Sequence, residues 1–208
     1  MEIVAAAVVG YLLGSIPMGL IAGRLAGGVD VRDYGSGKTG FTNSLRILGV
    51  RRSLPVFIGD YGKGLAAALL PFLWSDDPWA RAIGGLAAVC GHVWPLFAGF
   101  RGGRGVLTGA GVLSGLSPIP VLIVLPLAGA TLKLTRYMSV TSISATAFAG
   151  ALFAAFAAAD LHPWAFAAVA VAGGSLTIVL HHDNVRRLLA GTERHVGERV
   201  DTRPAQEA

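Results

Sequence analysis

The chain has 208 residues, of which 53% are hydrophobic and only 14% charged, and its mean hydropathy is +0.62. Soluble domains carry about 25% charged residues, so composition excludes an ordinary soluble domain and predicts a single membrane-embedded one over residues 1–208. The net charge of +5 gathers in loops, where it sets membrane topology, and no nucleic-acid partner is expected.

Residues 3–25 are the first predicted span. Glu2 stands where a signal peptide would carry basic residues, and the apolar run exceeds a signal h-region of ~7–15 residues, so the segment reads as a spanning helix. The loop 26–53 follows, with Arg32, Lys38, Arg46, Arg51 and Arg52. Inside it, "YGSGKTGFTNSLRILG" (34–49) predicts tight turns at Gly35, Gly37 and Gly40. A short helix should then be capped by Thr42 or Thr39 and ended by Gly49. Asn43 and Arg46 share one face of it, while Phe41, Leu45 and Leu48 fall on the other, against the bilayer. Ser36, Asn43 and Arg46 can converge on an anion, although the same pattern suits an amphipathic surface helix.

Residues 54–74 and 79–99 are the second and third spans, joined by the acidic "SDDPW". Asp60 and Lys63, in "GDYGKG", lie three apart at membrane depth, where charges face a cavity or each other. A structural ion pair is expected for Asp60, and Lys63 can also face a site. Cys90 is alone, so no internal disulfide is possible. His92, in "GHVWPLF", reads as a structural histidine packed between helices.

"FRGGRG" (100–105) precedes the apolar residues from Val106. A helix N-terminus offers unpaired N–H groups and partial positive charge, glycines allow close approach, and Arg101 and Arg104 add forks suited to phosphate. A tight turn with two topology-setting arginines fits as well. The sequence is not a Walker loop.

A single helix over residues 106–134 would run ~43 Å, against a ~30 Å hydrocarbon core. Pro118 and Pro120 interrupt it, so it is one kinked helix or two short ones. Two keep Lys133, Arg136 and the basic C-terminal tail on the side of the other loop arginines. With 138–159 and 162–181, the prediction is an all-α polytopic protein of about seven transmembrane helices, N-terminus outside and C-terminus cytoplasmic. Arg81, close to Asp76 and Asp77, is the one basic residue on the wrong side. Ser139 and Ser142 open the sixth span as caps or as phosphate ligands.

The last span continues into "HHDNVRRLLAGTERHVGER" (181–199). His181 and Asn184 share a face with Leu188, His182 and Asp183 point elsewhere, and Gly191 ends the helix. Residues ~192–208 form a cytoplasmic tail in which Arg194, Arg199 and Arg203 grip anionic lipid heads.

Five stretches in order, "GSIPMG", "GSGKTGFTN..R", "D..KG", "GHVWPLFAGFRGGRGV" and "H..N..RLLAGTE...G", give a chain that resembles, nearly end to end, the acyl-phosphate-dependent glycerol-3-phosphate acyltransferases of bacteria. That family usually reads GSGNxGATN and FKGGKG. Here Lys38 and Phe41 stand for Asn and Ala, arginine holds positions 101 and 104, and Leu180 replaces a basic residue.

The resemblance implies transfer of a fatty acyl group from acyl phosphate to the 1-hydroxyl of sn-glycerol 3-phosphate, giving lysophosphatidic acid and phosphate. It implies seven spans in the bacterial plasma membrane, with the site facing the cytoplasm. Expected catalytic residues are His181, Asn184, Ser36 and Arg46. Expected phosphate ligands are Gly102, Gly103, Arg104, Gly105, Arg101, Asn43, Thr42, Lys63 and Ser142, while Glu193 and Asp60 are structural. Partners are the two substrates, the bilayer and the enzyme supplying acyl phosphate. No cofactor and no metal are expected.

His181 is one candidate general base, and a substrate phosphate oxygen is the other. None of the five histidines has aspartate five positions on, where Phe97, Ala167, Arg186, Arg187 and Val200 stand, so an acyl-CoA enzyme of the His-x4-Asp class is disfavoured. The competing class is a transporter of an anionic small molecule. Polar groups confined to one side, without pseudo-symmetric halves, argue against it.

Overall fold

The computed structural model describes residues 1–199, and within them the chain is all-helical. Arg203 of the tail lies outside the described residues. The first span is broken: α1 (Glu2–Gly14) and α2 (Met18–Leu25) meet at Ser15–Pro17, where proline lacks the N–H that would continue the ladder. α3 (Phe41–Leu48) and α4 (Val50–Leu69) follow, then α5 (Pro78–Val93). α6 (Val106–Leu116) and α7 (Pro118–Thr135) resolve the ambiguous 106–134 stretch as two helices, parted by extended Ser117 with Pro118 in the first turn of α7. α8 (Met138–Ala158), α9 (Trp164–Val179) and α10 (His182–Leu189) complete the chain.

Among the described residues, five helical segments are long and apolar enough to cross a membrane, and a sixth is α9 with α10 if that bent pair counts as one. α6 is apolar but shorter, ~16 Å at 1.5 Å per residue. The last span does not run straight into the tail, because α9 and α10 are bent by 49°.

Small residues let the helices touch backbone to backbone, the usual membrane device. On the α1–α5 seam a Cβ at Gly10 would overlap the Gly84 carbonyl, and one at Gly14 the Ala88 carbonyl. On the α4–α6 seam Gly64 lies against the Thr108 carbonyl and Gly111 against that of Tyr61. Gly64→Leu should therefore cost at or above the ~3 kcal/mol upper end of overpacking penalties, read as a lower Tm in detergent. Val112, Leu116, Phe153 and Phe166 belong to the buried core.

Two expectations fail here. Neither Thr39 nor Thr42 caps α3, since Gly40 is its N-cap and no side chain bonds there. Leu48 does not face lipid: with Ile47 it packs on buried Leu20, Val31 and Ala98, which holds α3 against the bundle. Arg81 also finds a place. Its guanidinium donates to the Ala68 carbonyl at the end of α4 (3.1 Å) and to Gly115 at the end of α6, and lies 3.8 Å from the centre of the Phe72 ring. Orphan C-terminal carbonyls and a ring face take this cation, as helix ends favour.

Candidate active site

The loops between helices meet at one end of the bundle around a cavity of about 170 Å³ that mixes polar and apolar lining. The loop before α3 contributes Ser36 and Lys38, and α3 itself Thr42, Asn43 and Arg46. Arg104 and Gly105 enter from the glycine loop, Ser139 and Ser142 from α8, and His181, Asn184 and Glu193 from the C-terminal segment. The floor is Asp60 of α4 and His92 of α5, beside an apolar wall that includes Phe41 and Phe57 in edge contact.

Asn43 builds the first loop. Its Oδ1 accepts from the Ser36 N–H (2.9 Å), and its Nδ2 donates to the carbonyls of Val31 (2.8 Å), Lys38 (2.9 Å) and Tyr34 (3.2 Å). The amide thus ties the loop and sets Ser36 at the cavity, so the expectation of Asn43 as a phosphate ligand gives way to a scaffold role. Backbone at φ +66° and +67° for Gly35 and Gly37 allows the turn that this needs.

In the second loop, Gly105 is the N-cap of α6 at φ +84°, and Gly105, Val106 and Leu107 all line the cavity. The positive end of α6 therefore faces it. Arg104 donates through Nε to the Leu180 carbonyl (3.1 Å), which leaves its terminal nitrogens for a ligand. Leu180 takes part through its backbone, so the side-chain change there removes no contact to Arg104.

Three further expectations are corrected. Arg101 is exposed and does not line the cavity. Gly102 and Gly103 are buried behind it: the Gly103 N–H donates to the His92 carbonyl (3.1 Å), and a Cβ on either glycine would overlap His92. They are bare because a ring and a carbonyl fill the space, not because an anion approaches. Lys63 also stays out of the lining, with Nζ on Asp60 Oδ1 (2.9 Å) and the Ile16 carbonyl (2.9 Å).

At the C-terminal side, Glu193 gathers Ser139 Oγ (2.9 Å) and Asn184 Nδ2 (2.7 Å) on Oε1 and Arg187 Nε (2.8 Å) on Oε2. Of the two α8 serines, Ser139 is thereby committed, while Ser142 makes no side-chain hydrogen bond among the described residues and lines the cavity. The carboxylate fixes the Asn184 amide, whose Oδ1 is buried without a partner among the described residues. His181 Nδ1 lies 2.8 Å from the Thr177 carbonyl. That contact assigns the proton to Nδ1 and leaves Nε2 as the acceptor. His182 turns outward and pairs with Asp183 at 3.0 Å.

Burial tends to raise the Glu193 carboxyl. The hydrogen bonds from Asn184, Arg187 and Ser139 and the Arg187 charge outweigh it, and hold the group below its ordinary 4.5. A depressed folded value stabilises the docked tail above pH 4.5, and that contribution is lost as pH falls through the lower value. Hydrogen exchange over residues 191–199 should accelerate only below that pH, and Glu193→Gln should flatten the dependence.

Two cations, Arg46 and Arg104, line the cavity. Burial, then Arg187, lowers the Arg104 pKa; Glu193 and Asp183 oppose, and Arg46 adds to the fall. Arg46, 9% exposed, is lowered by burial first, opposed by Glu193, with Arg194 and Arg187 adding. Guanidinium stays protonated regardless, so two partly desolvated cations act on Glu193, which Arg187 already pairs, with Asp183 adding to Arg104 and Glu198 to Arg46. Such a site takes an anion with several oxygens. A second cavity of about 100 Å³ is apolar, lies between α6, α7, α8 and α9, and shares Gly105 and Val106 with the first. Among the described residues no group of three or more His, Cys, Asp or Glu is placed to hold a metal ion.

The sequence offered little to mark Phe57, Met138 and Leu107 as lining residues, because apolar side chains at helix ends look alike whether they face lipid, core or ligand.

A family model described as glycerol-3-phosphate acyltransferase matches residues 4–191. The glycerol-3-phosphate acyltransferase of Synechococcus sp. (strain CC9902) is 40% identical over 190 residues, 91% of this chain and 93% of that one. That of Streptococcus pneumoniae (strain Taiwan19F-14) is 39% identical over 193 residues, 91% of each. The crystal structure of PlsY, an integral membrane glycerol 3-phosphate acyltransferase, in its glycerol 3-phosphate form superposes with a TM-score of 0.86 at 37% identity, covering 95% of this chain and 96% of that one. The lysophosphatidic acid form gives 0.84 at 36%, covering 95% and 97%.

Proposed function

The chain belongs to the glycerol-3-phosphate acyltransferase family, and from that premise we propose that the first cavity is the active site of an integral membrane enzyme that makes lysophosphatidic acid from acyl phosphate and glycerol 3-phosphate. The observation that carries this is the pair Arg46 and Arg104 facing one cavity at the N-terminus of α6, with Glu193, the carboxylate acting on both, already paired by Arg187. Both substrates carry phosphate, and partly buried cations beside a helix N-terminus recognise it. The acyl chain of the donor runs from Gly105 and Val106 into the apolar cavity.

Transfer forms the bond from the glycerol 1-oxygen to the acyl carbon and breaks the bond from that carbon to the phosphate oxygen. Inorganic phosphate leaves with the hydroxyl proton. Arg46, Arg104 and the α6 amides neutralise charge on the phosphates and on the carbonyl oxygen as it becomes an oxyanion, a contribution of ~3–4 kcal/mol per well-placed donor. Acyl phosphate is already activated, so positioning and neutralisation carry the step, and a phosphate oxygen takes the proton. His181→Gln should accordingly keep activity within about tenfold of the parent, measured as initial rates across pH.

One domain carries this activity. α1–α2, α4, α5, α6, α7, α8 and α9 make seven crossings of a bacterial plasma membrane, with the N-terminus outside and the cavity and tail at the cytoplasmic face. Arg32, Arg46, Arg104, Arg136 and Arg187 fall on that side and Asp76, Asp77 and Asp160 on the other, which supports the orientation. The peripheral partner is the enzyme that supplies acyl phosphate. Purified protein given acyl phosphate and labelled glycerol 3-phosphate should yield labelled lysophosphatidic acid. No turnover, with phosphate crossing proteoliposomes, would replace the enzyme by a transporter.

A further inference from the structure

Beneath the cavity a chain of buried polar groups runs between three spans and has no place in the transfer step. It begins at the break between α1 and α2, where the Ile16 carbonyl accepts the Met18 N–H (3.1 Å) and keeps a second lone pair for another donor. Lys63 Nζ donates to it (2.9 Å) and pairs with Asp60 Oδ1 (2.9 Å). The same oxygen lies 3.4 Å from His92 Nδ1. Lys63, Asp60 and His92 are 7%, 2% and 5% exposed. Asp60 Oδ2 has no partner among the described residues, so Asp60 reaches α5 through Oδ1.

The far end of the chain is the glycine loop. The His92 carbonyl accepts the Gly103 N–H, and the ring stands where a Gly103 side chain would be. Gly102 packs on the His92 carbonyl, and its own carbonyl accepts from the Thr39 N–H (3.5 Å). The next two residues are Arg104 and Gly105, which line the cavity. A buried charge pair at membrane depth is costly unless it fixes something. Here the Lys63 contact leads back to the α1–α2 break, while the His92 contacts lead to the backbone that presents Arg104.

We propose that His92, held by Asp60 and Lys63, is a positioning residue whose ring and carbonyl set the height of the glycine loop, and so the reach of Arg104 and of the α6 N-terminus into the active site. The proposal rests on the cavity being that site. Because the ring occupies the place of the missing Cβ, His92 and Gly103 should be energetically coupled, whereas a histidine that merely fills the interior would be independent of the loop.

The test is a double-mutant cycle on the full-length protein in detergent, with kcat and KM for both substrates and Tm for every variant. Gly103→Ala alone forces the overlap and should lower kcat/KM roughly a hundredfold. His92→Ala alone should raise KM and lower kcat. In the double variant the freed space should recover about tenfold of the loss expected from multiplying the singles. Asp60→Asn keeps size while freeing the ring, and should change kinetics in the direction of His92→Ala; it serves if that variant does not fold. Multiplicative losses in the cycle, or Asp60→Asn kinetics equal to the parent, would overturn the positioning role while leaving parent turnover intact. Failure of the parent itself to make product would instead remove the active-site reading.

Discussion

Arg104→Ala should lower kcat/KM by roughly a thousandfold, the upper range for loss of one preorganised donor to developing charge. The guanidinium is part-buried and lines the same cavity as Arg46, and Glu193, the carboxylate whose charge acts on both, is already bonded by Arg187, Asn184 and Ser139. Removing the side chain leaves a phosphate in a desolvated cavity with half its cationic cover, and burying an anion without a partner is expensive. Arg104→Lys separates charge from geometry. Lysine keeps the positive charge but loses both the Nε bond to the Leu180 carbonyl and the planar fork, so its loss should be intermediate. Both variants should keep the parent Tm within a few degrees, because no ion pair is broken. Activity within tenfold for Arg104→Ala would mean that the cavity does not hold the reacting phosphate.

The fold was largely legible in the sequence because its signals are local. Apolar length gave the spans, and Pro118 with the distribution of arginines gave the break between α6 and α7. Polar residues told less. A residue such as Asn43 or Lys63 announces that it needs partners, but not whether those partners are substrate or backbone. Asn43 uses its amide on three carbonyls and one N–H of its own loop, and Lys63 finds the carbonyl exposed by a helix break four dozen positions earlier in the chain. Glycine is ambiguous in the same way. "GG" at 102–103 reads as a phosphate cradle, yet the space it leaves is filled by His92, a residue ten positions before it whose role depends on the third dimension. Arg101 and Arg104 look equivalent in sequence, and only the turn of the chain between them sends one to solvent and the other into the cavity.

Asn184 is where the second large effect is expected. Glu193 accepts from its Nδ2 at 2.7 Å, so the amide cannot flip, and Oδ1 is left as a buried acceptor with no partner among the described residues. A buried acceptor of this kind is costly unless a ligand completes it. On the proposed mechanism, the attacking glycerol hydroxyl is the donor that the reaction supplies. Accepting its hydrogen bond aims an oxygen lone pair at the acyl carbon while the proton is still held. Asn184→Ala should therefore lower kcat roughly a hundredfold, with a smaller change in KM for acyl phosphate. Asn184→Asp keeps an acceptor but sets a second carboxyl against Glu193, and like charges so close cannot both stay ionised. It should lose at least as much activity and release the tail as well, read as faster hydrogen exchange over residues 191–199. Glu193→Gln is the control. It weakens the tail contact but leaves an acceptor for Asn184, and should cost less than tenfold. A loss for Glu193→Gln equal to that of Asn184→Ala would reduce Asn184 to a part of the tail lock, with no hydroxyl to hold.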